Sequence, residues 1–319
     1  ERNDCEWRSQ NEGVMHACGH DMHAAVLFGV LKTFAEAPDF RGTLFGLFQP
    51  GEETFEGARA AIADGLLQNP RPQAAFAMHV NSQSSLGLVL YGSPALSGVY
   101  GFRITLQGKG GHGSSPEICI DPITAAAHIH IALQEINSRE LDPAKFGVFT
   151  TGRFEAGKAS NVIPDTADMW GTIRTVDPEG AVSEQIHQRM TEIAQGVAAA
   201  YRCTAEVEFS DHCPCMVVDT PLAKDSLTYM TELLGRGAMD MTALTGGKPG
   251  GGSEDFAFVS HEVPTVSMFL SSGNAKEGYV YGQHHPKVRF DDSVLYEGSA
   301  AYVYTVSYTH LTLPTILRV

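Results

Sequence analysis

"VYGFRITLQGKG", residues 99 to 110, alternates apolar and polar side chains as a half-exposed strand does. The elements that come after it decide the fold. "DPITAAAHIHIALQEI" has helical apolar spacing, "KFGVFTTGRFEA" and "ADMWGTIRTV" read as strands, "SEQIHQRMTEIAQGVAAAY" as a long helix and "TAEVEFS" as a strand. Strand, helix, two strands, helix, strand is the order of a two-layer ferredoxin-like α+β unit with an antiparallel sheet. The pattern changes at both ends, so residues 97–211 are expected to be a smaller domain inserted into a larger one.

On either side the style is α/β. A helix is expected from about Asp21, its N-cap, to Ala37, and "TLFGLFQ" (43–49) reads as a buried strand halted at Pro50-Gly51. "EGARAAIADGLL" is helical, and "AAFAMHV" (74–80) and "LGLVLYG" are strands. After "DHCPCMVVDTP" come a strand in "PTVSMFLSSG" and a last helix from about Asp292. This alternation predicts a mostly parallel sheet formed by residues 1–96 and 212–306. The chain starts abruptly before its first dense motif, and an upstream part of this domain is expected to be missing. Residues 307–319, "SYTHLTLPTILRV", turn Thr- and Leu-rich without an acid. They resemble translated adapter sequence and are expected to be a non-native tail.

At 319 residues the chain is long enough for two domains. Its 22 basic and 37 acidic residues give a formal charge of -15, with no basic run, so nucleic acid is not expected as a partner. No apolar run approaches a membrane span and the opening residues are polar, which predicts a soluble, cytoplasmic protein without membrane contact. Six scattered cysteines do not form a disulfide framework and fit a reducing compartment.

"HACGHDMH" (16–23) is the densest run of metal-ligand types. Cys18 and His20 flank one glycine and can point at one ion, and thiolate with imidazole suits zinc or another late first-row metal. His16 and His23, about a turn away, can supply supporting hydrogen bonds. In "FQPGEET", Glu52 and Glu53 leave a strand where open α/β sheets place their ligands. Their side chains point to opposite sides, so one can bind metal while the other addresses a bound water. His79 ends a strand, and His284-His285 precede Pro286. Each feature alone has a plainer reading, as the polar lip of a helix, a solvated acidic turn or a hydrogen-bonded histidine. Cys18, His20, Glu53, His79 and His284 together are too many for one tetrahedral zinc, so two metals are the natural arrangement. The pair Cys213 and Cys215 reads as structural thiols.

"GVMHACGHDMHAAVLFGV", "FQPGEE", "GKGGHGSSP", "NVIPDTADMWGTIRT", "GSEDFAF" and "HHPKVRFDD" occur in the order seen in the aminoacylase-like dinuclear metallopeptidases. More narrowly the chain resembles the amidohydrolase branch of hippurate hydrolases, N-acyl-amino-acid deacetylases and plant auxin-amino-acid hydrolases. The likeness runs from Gly13 to about Val306. It implies that Cys18, His20, Glu53, His79 and His284 bind two divalent metal ions (Zn, Mn, Co or Ni), with Glu52 as catalytic base. It implies a lid and dimerisation role for the inserted domain. His112 would polarise the substrate carbonyl, sometimes at a neighbouring subunit's site, and Asn161 and Arg174 would bind substrate. A guanidinium in any case suits a carboxylate, whose two oxygens match its fork. The chain departs from the family at Gly51, where alanine is usual, and in "GSSPE", where small apolar residues and a histidine are common.

The expected activity is metal-dependent hydrolysis of the amide bond of a small N-acyl amino acid, by a homodimer joined through the inserted domain. A dipeptidase or carboxypeptidase of the same family is the alternative within hydrolases. A metal-free binding homologue is the alternative outside them, and retention of all five ligands and the base argues against it.

Overall fold

The computed structural model of the chain describes residues 1–37, 39–40, 42–85, 87, 89–91, 96–235, 238–241, 245–246 and 251–312. In the first part of the larger domain, α1 (His20–Ala35) and α2 (Gly57–Ala63) precede β1 (Ala75–Ser85) and β2 (Val89–Tyr91). In its second part, α5 (Thr220–Leu234), β9 (Ala238–Asp240), α6 (Ala257–Ser260) and β10 (Thr265–Gly273) lead to α7 (Leu295–Thr312). The sheet order is β1-β10-β2-β9, with β1 parallel to β10, β2 parallel to β9, and β2 antiparallel to β10. β10 is buried on both faces, with Val266, Met268 and Leu270 on one of them and Ser267 and Ser271 on the other. Met22 and Val26 of α1, Met230 of α5 and Ala301 of α7 close over Met78, Val80, Met268 and Leu270.

Between these parts, β3 (Gly98–Gln107), α3 (Pro122–Glu135), β5 (Gly147–Ala156), β7 (Thr166–Thr175), α4 (Ala181–Ala200) and β8 (Thr204–Cys213) form the second unit. Its sheet is antiparallel with order β5-β7-β3-β8, and β4 (Gly111–His112) pairs with β6 (Val162–Ile163) as a separate ribbon. The period-two pattern of residues 99–110 turns Phe102, Ile104 and Leu106 onto one face, where Ile129 and Leu133 of α3 and Ile186 and Met190 of α4 cover them. Asp121 starts α3 by accepting the Ile123 N–H at 2.9 Å, with Pro122 in the first turn. The fold is therefore α/β with an antiparallel α+β unit between the two parts of the larger sheet domain.

Two local expectations are corrected. Gly19, not Asp21, is the N-cap of α1, in a left-handed conformation (φ 79°) with no side-chain cap. The turn presses on β1, where a Cβ at Gly19 would stand 2.4 Å from Val80 Cγ2. Residues 43–49 are not a buried strand. They carry no strand assignment, and Phe45 and Phe48 are 47% and 54% exposed. Strand propensity needs a neighbour to complete its ladder, and no described backbone–backbone hydrogen bond supplies one here. The last helix begins after a 3₁₀ turn, Asp292–Val294, capped by Asp291. It continues through residues 307–312, where Thr309 is buried, and the remaining tail residues, 313–319, lie outside the described residues. Among the described residues no helix is long and apolar enough to cross a membrane.

Ile129 has no exposed surface and sits between α3 and the sheet. Ile129→Ala is expected to lower unfolding free energy by about 2–5 kcal/mol, through lost transfer energy plus the cavity left behind. Denaturant titration at an unchanged m-value measures this, and a loss near zero would show that the layers do not depend on that contact.

Candidate metal centre

Four chain segments converge at the C-terminal side of β1. The Gly19 turn carries Cys18 and His20, the loop after Gln49 carries Glu52 and Glu53, β1 carries His79, and the loop before Pro286 carries His284. The His284 N–H donates to Ala17 O at 2.8 Å and so ties the last segment to the first. His284 has φ 65°, while His285 stacks on Tyr281 at 4.2 Å, away from the cluster.

The donor atoms form overlapping sets whose members lie within 4.8 Å of one another. These are Cys18, His20 and His79; Cys18, Glu53 and His284; and His20, Glu52 and Glu53. Cys18 Sγ stands 3.4 Å from His79 Nε2. His20 Nε2 is 3.6 Å from a Glu52 oxygen and 3.8 Å from a Glu53 oxygen, and His284 Nε2 is 3.3 Å from the same Glu53 oxygen. A cleft of about 290 Å³ opens here, lined by His16, Cys18, His20, Glu53 and His284 among others. The structure thus brings together all five residues expected as ligands and the expected base.

Supporting bonds orient the donors. His79 Nδ1 donates to Val80 O at 2.7 Å, which leaves Nε2 with its lone pair facing Cys18. His23 Nε2 accepts the Val80 N–H at 2.9 Å, and burial pushes its pKa down to about 2, so it is a neutral brace between α1 and β1. Gly51 has φ 66° before the Glu52–Thr54 3₁₀ turn, a conformation that glycine adopts more easily than the alanine usual in the family.

Electrostatics favour a cation. The Cys18 thiol is pushed up to about 12, first by burial and then by Glu53 and Glu52. Glu52 is raised to about 8, first by burial and then by Glu254, Glu53 and Asp255. Donors that suppress one another's charge become thiolate and carboxylate together once a divalent ion stands among them. Thiolate, imidazole and carboxylate are a fitting donor set for such ions.

Sequence reading did not single out Glu254 and Asp255, yet their carboxylates group with Glu52. The available signal was an acidic pair in "GSEDFAF" running straight into apolar residues, since acids there are buried by the core that follows them. Arg174 Nη1 donates to Gly251 O at 3.0 Å and Ser253 Oγ at 2.8 Å, which ties the inserted sheet to the segment leading to Glu254. His112 lies on the β4–β6 ribbon and Asn161 in the turn just before β6, both of them exposed. The Gly113 N–H donates to Asn161 O, and His112 Nδ1 bonds Ser114 Oγ at 2.8 Å. Neither His112 nor Asn161 has a described hydrogen bond to the cluster. Cys213 and Cys215 are buried and belong to none of the described donor sets.

Because Gly19 stands against Val80, Gly19→Ala is expected to displace Cys18 and His20. Zn²⁺ binding should weaken by about 10- to 100-fold, the range for residues that orient ligands. Titration with far-UV circular dichroism as a folding control checks this, and unchanged affinity would separate the turn from the donor set.

Comparison with known proteins accords with this geometry. An IAA-amino acid hydrolase ILR1-like 4 of Arabidopsis thaliana is 33% identical over 304 residues, which cover 92% of this chain and 67% of the relative. The chain thus spans about two thirds of that protein's length. Thermostable carboxypeptidase 2 of Saccharolobus solfataricus is 31% identical over 306 residues, or 95% of this chain and 75% of the relative. The crystal structure of the Bacillus subtilis YXEP protein, described as a dinuclear metal binding peptidase from the M20 family, superposes with a TM-score of 0.81 at 27% identity. It covers 98% of this chain and 78% of that one. Peptidase family M20/M25/M40 matches residues 1–308, nearly the whole sequence, and the chain belongs to that family.

Proposed function

We propose that the chain hydrolyses the amide bond of N-acyl amino acids. One observation carries the reading. Glu52 shares a donor group with His20 and Glu53, and the overlapping set Cys18, His20, Glu53, His79 and His284 offers five donors without it. Two divalent ions held by those five (Zn, Mn, Co or Ni) would supply Lewis acidity for the scissile carbonyl and a water of lowered pKa. Glu52 takes the proton of the attacking water on a carboxylate oxygen and passes it to the leaving amine nitrogen. His112 donates to the developing oxyanion. Its place on an exposed ribbon suits a role at the site of a second copy, in a homodimer joined through the inserted domain, whose sheet has β5 and β8 as edges. Asn161 and Arg174 hold the amino-acid carboxylate. Both described Arg174 bonds use Nη1.

The Arabidopsis relative, named for cleaving an amino acid conjugate, supports this substrate class, and the Saccharolobus carboxypeptidase supports a second reading in which the acyl group is a peptide. Both require a free carboxylate. A panel of N-acetyl and N-benzoyl amino acids set against dipeptides separates them. Release of amino acid only from dipeptides would replace the first reading by the second.

Glu52→Gln keeps the shape and removes the proton acceptor, so kcat is expected to fall by about a hundred- to ten-thousand-fold with metal content unchanged. Glu53→Gln should lose metal as well as rate. The opposite pattern, measured by metal analysis, would exchange the two roles. Arg174→Ala is expected to impair substrates bearing a free carboxylate far more than their amides, and equal losses on both would contradict carboxylate recognition.

A further inference from the structure

Asp255 has no exposed surface, and the described ion pairs do not include it. Its Oδ1 accepts from Gln49 Nε2 at 2.5 Å and its Oδ2 from the Ala58 N–H at 2.9 Å. Gln49 and Ala58 are the two ends of the loop that carries Glu52 and Glu53. Inside the loop the described backbone–backbone hydrogen bonds are local, while the Glu52 carboxylate accepts from the Asp255 backbone N–H. Thr54 N–H and Glu56 N–H donate to Gly51 O, and Phe55 N–H donates to Glu52 O. Phe55 takes a left-handed conformation at φ 58°, which a non-glycine residue holds only where its surroundings impose it. Gly57 closes the loop against Pro50, where a Cβ would stand 1.5 Å from the carbonyl oxygen. The loop is tightly turned, and its two ends meet on one carboxylate from a distant segment.

That segment is itself held. Phe258 N–H donates to Asp255 O, and Arg174 bonds Gly251 O and Ser253 Oγ just upstream. The Gln49 and Ala58 N–H groups each take one Asp255 oxygen, so two acceptor oxygens are needed and an amide offers one, while the Glu52 and Glu254 carboxylates stand in the same group. An apolar residue would fill the space without the cost of burying a charge.

We infer that Asp255 is a positioning residue, a two-armed clamp on Gln49 and Ala58 that sets where the Glu52 and Glu53 carboxylates stand. The inference rests on the reading of those glutamates as base and ligand. In Asp255→Asn, rotation of the Gln49 amide can present an acceptor to the new N–H, so this variant is the mild one.

The test uses the full chain loaded with Co²⁺ alone, read by binding affinity and by d–d absorption, alongside hydrolysis of N-acetyl amino acids. Asp255→Ala should weaken Co²⁺ binding, shift the absorption bands and lower kcat by about a hundred-fold, the scale of a misplacement near 1 Å, with KM little changed. Asp255→Asn should keep most of each property. Asp255→Asn combined with Gln49→Leu, which removes the compensating rotation, should fall to the level of Asp255→Ala. A lowered Tm with unchanged Co²⁺ affinity and spectrum, or a double variant no worse than Asp255→Asn, would overturn the clamp. If Asp255→Ala does not fold, the Asn variant and the double variant decide the same question. Glu52→Gln serves as the control. Retained turnover there would overturn the reading of the base, while the Co²⁺ comparison still decides the clamp.

Discussion

The parallel pairing of β1 with β10 is the constraint on which the site depends. The register runs from Ala75 opposite Thr265 to Asn81 opposite Ser271, and it joins the chain on either side of the inserted unit. His79 lies on β1, and the loops that leave this pair carry Gln283 back onto Val80 O and His284 back onto Ala17 O. Without that ladder the histidine of one part and the histidine loop of the other would have no reason to meet. Parallel strands need long connections. Here the connection includes a whole folded unit, so the insertion leaves the sheet intact.

Packing against β1 then sets the first donors. Val80 is touched from several sides at once. Gly19 approaches it so closely that no Cβ fits, and the Val80 N–H and carbonyl bond His23 and His79. Backbone groups of one buried residue therefore orient two histidines, and the glycine beside it puts Cys18 and His20 at the same edge. The charges that gather there oppose one another. A thiol pushed up to about 12 and a carboxyl raised to about 8 describe a cluster that a cation would relieve.

The inserted unit is coupled to this centre through its root. Val99 at the start of β3 and Cys213 at the end of β8 pack with Met216 and Ala257, and Phe55, just past the glutamate turn, packs against the same group. Arg174 adds its bonds to Gly251 and Ser253. The unit therefore contacts the segments that carry both acidic pairs, Glu52–Glu53 and Glu254–Asp255.

The sequence alone determined the alternating strands, the two amphipathic helices of the inserted unit and the candidate donors, because these depend on local periodicity and residue chemistry. Ile104 and Leu106 face the core since side chains alternate along a strand, and Cys18 and His20 can share an ion since one glycine separates them. Tertiary structure alone decided the rest. Gly19 rather than Asp21 begins α1 because of how closely Val80 approaches, a contact between residues far apart in the chain. Residues 43–49 have strand composition yet no described strand partner, and a ladder requires two chains of hydrogen-bonding groups. Glu254 and Asp255 read as an acidic pair ahead of apolar residues, and only folding buried Asp255 and brought both carboxylates beside Glu52. Burial and proximity are properties of the packed chain, which no local pattern encodes.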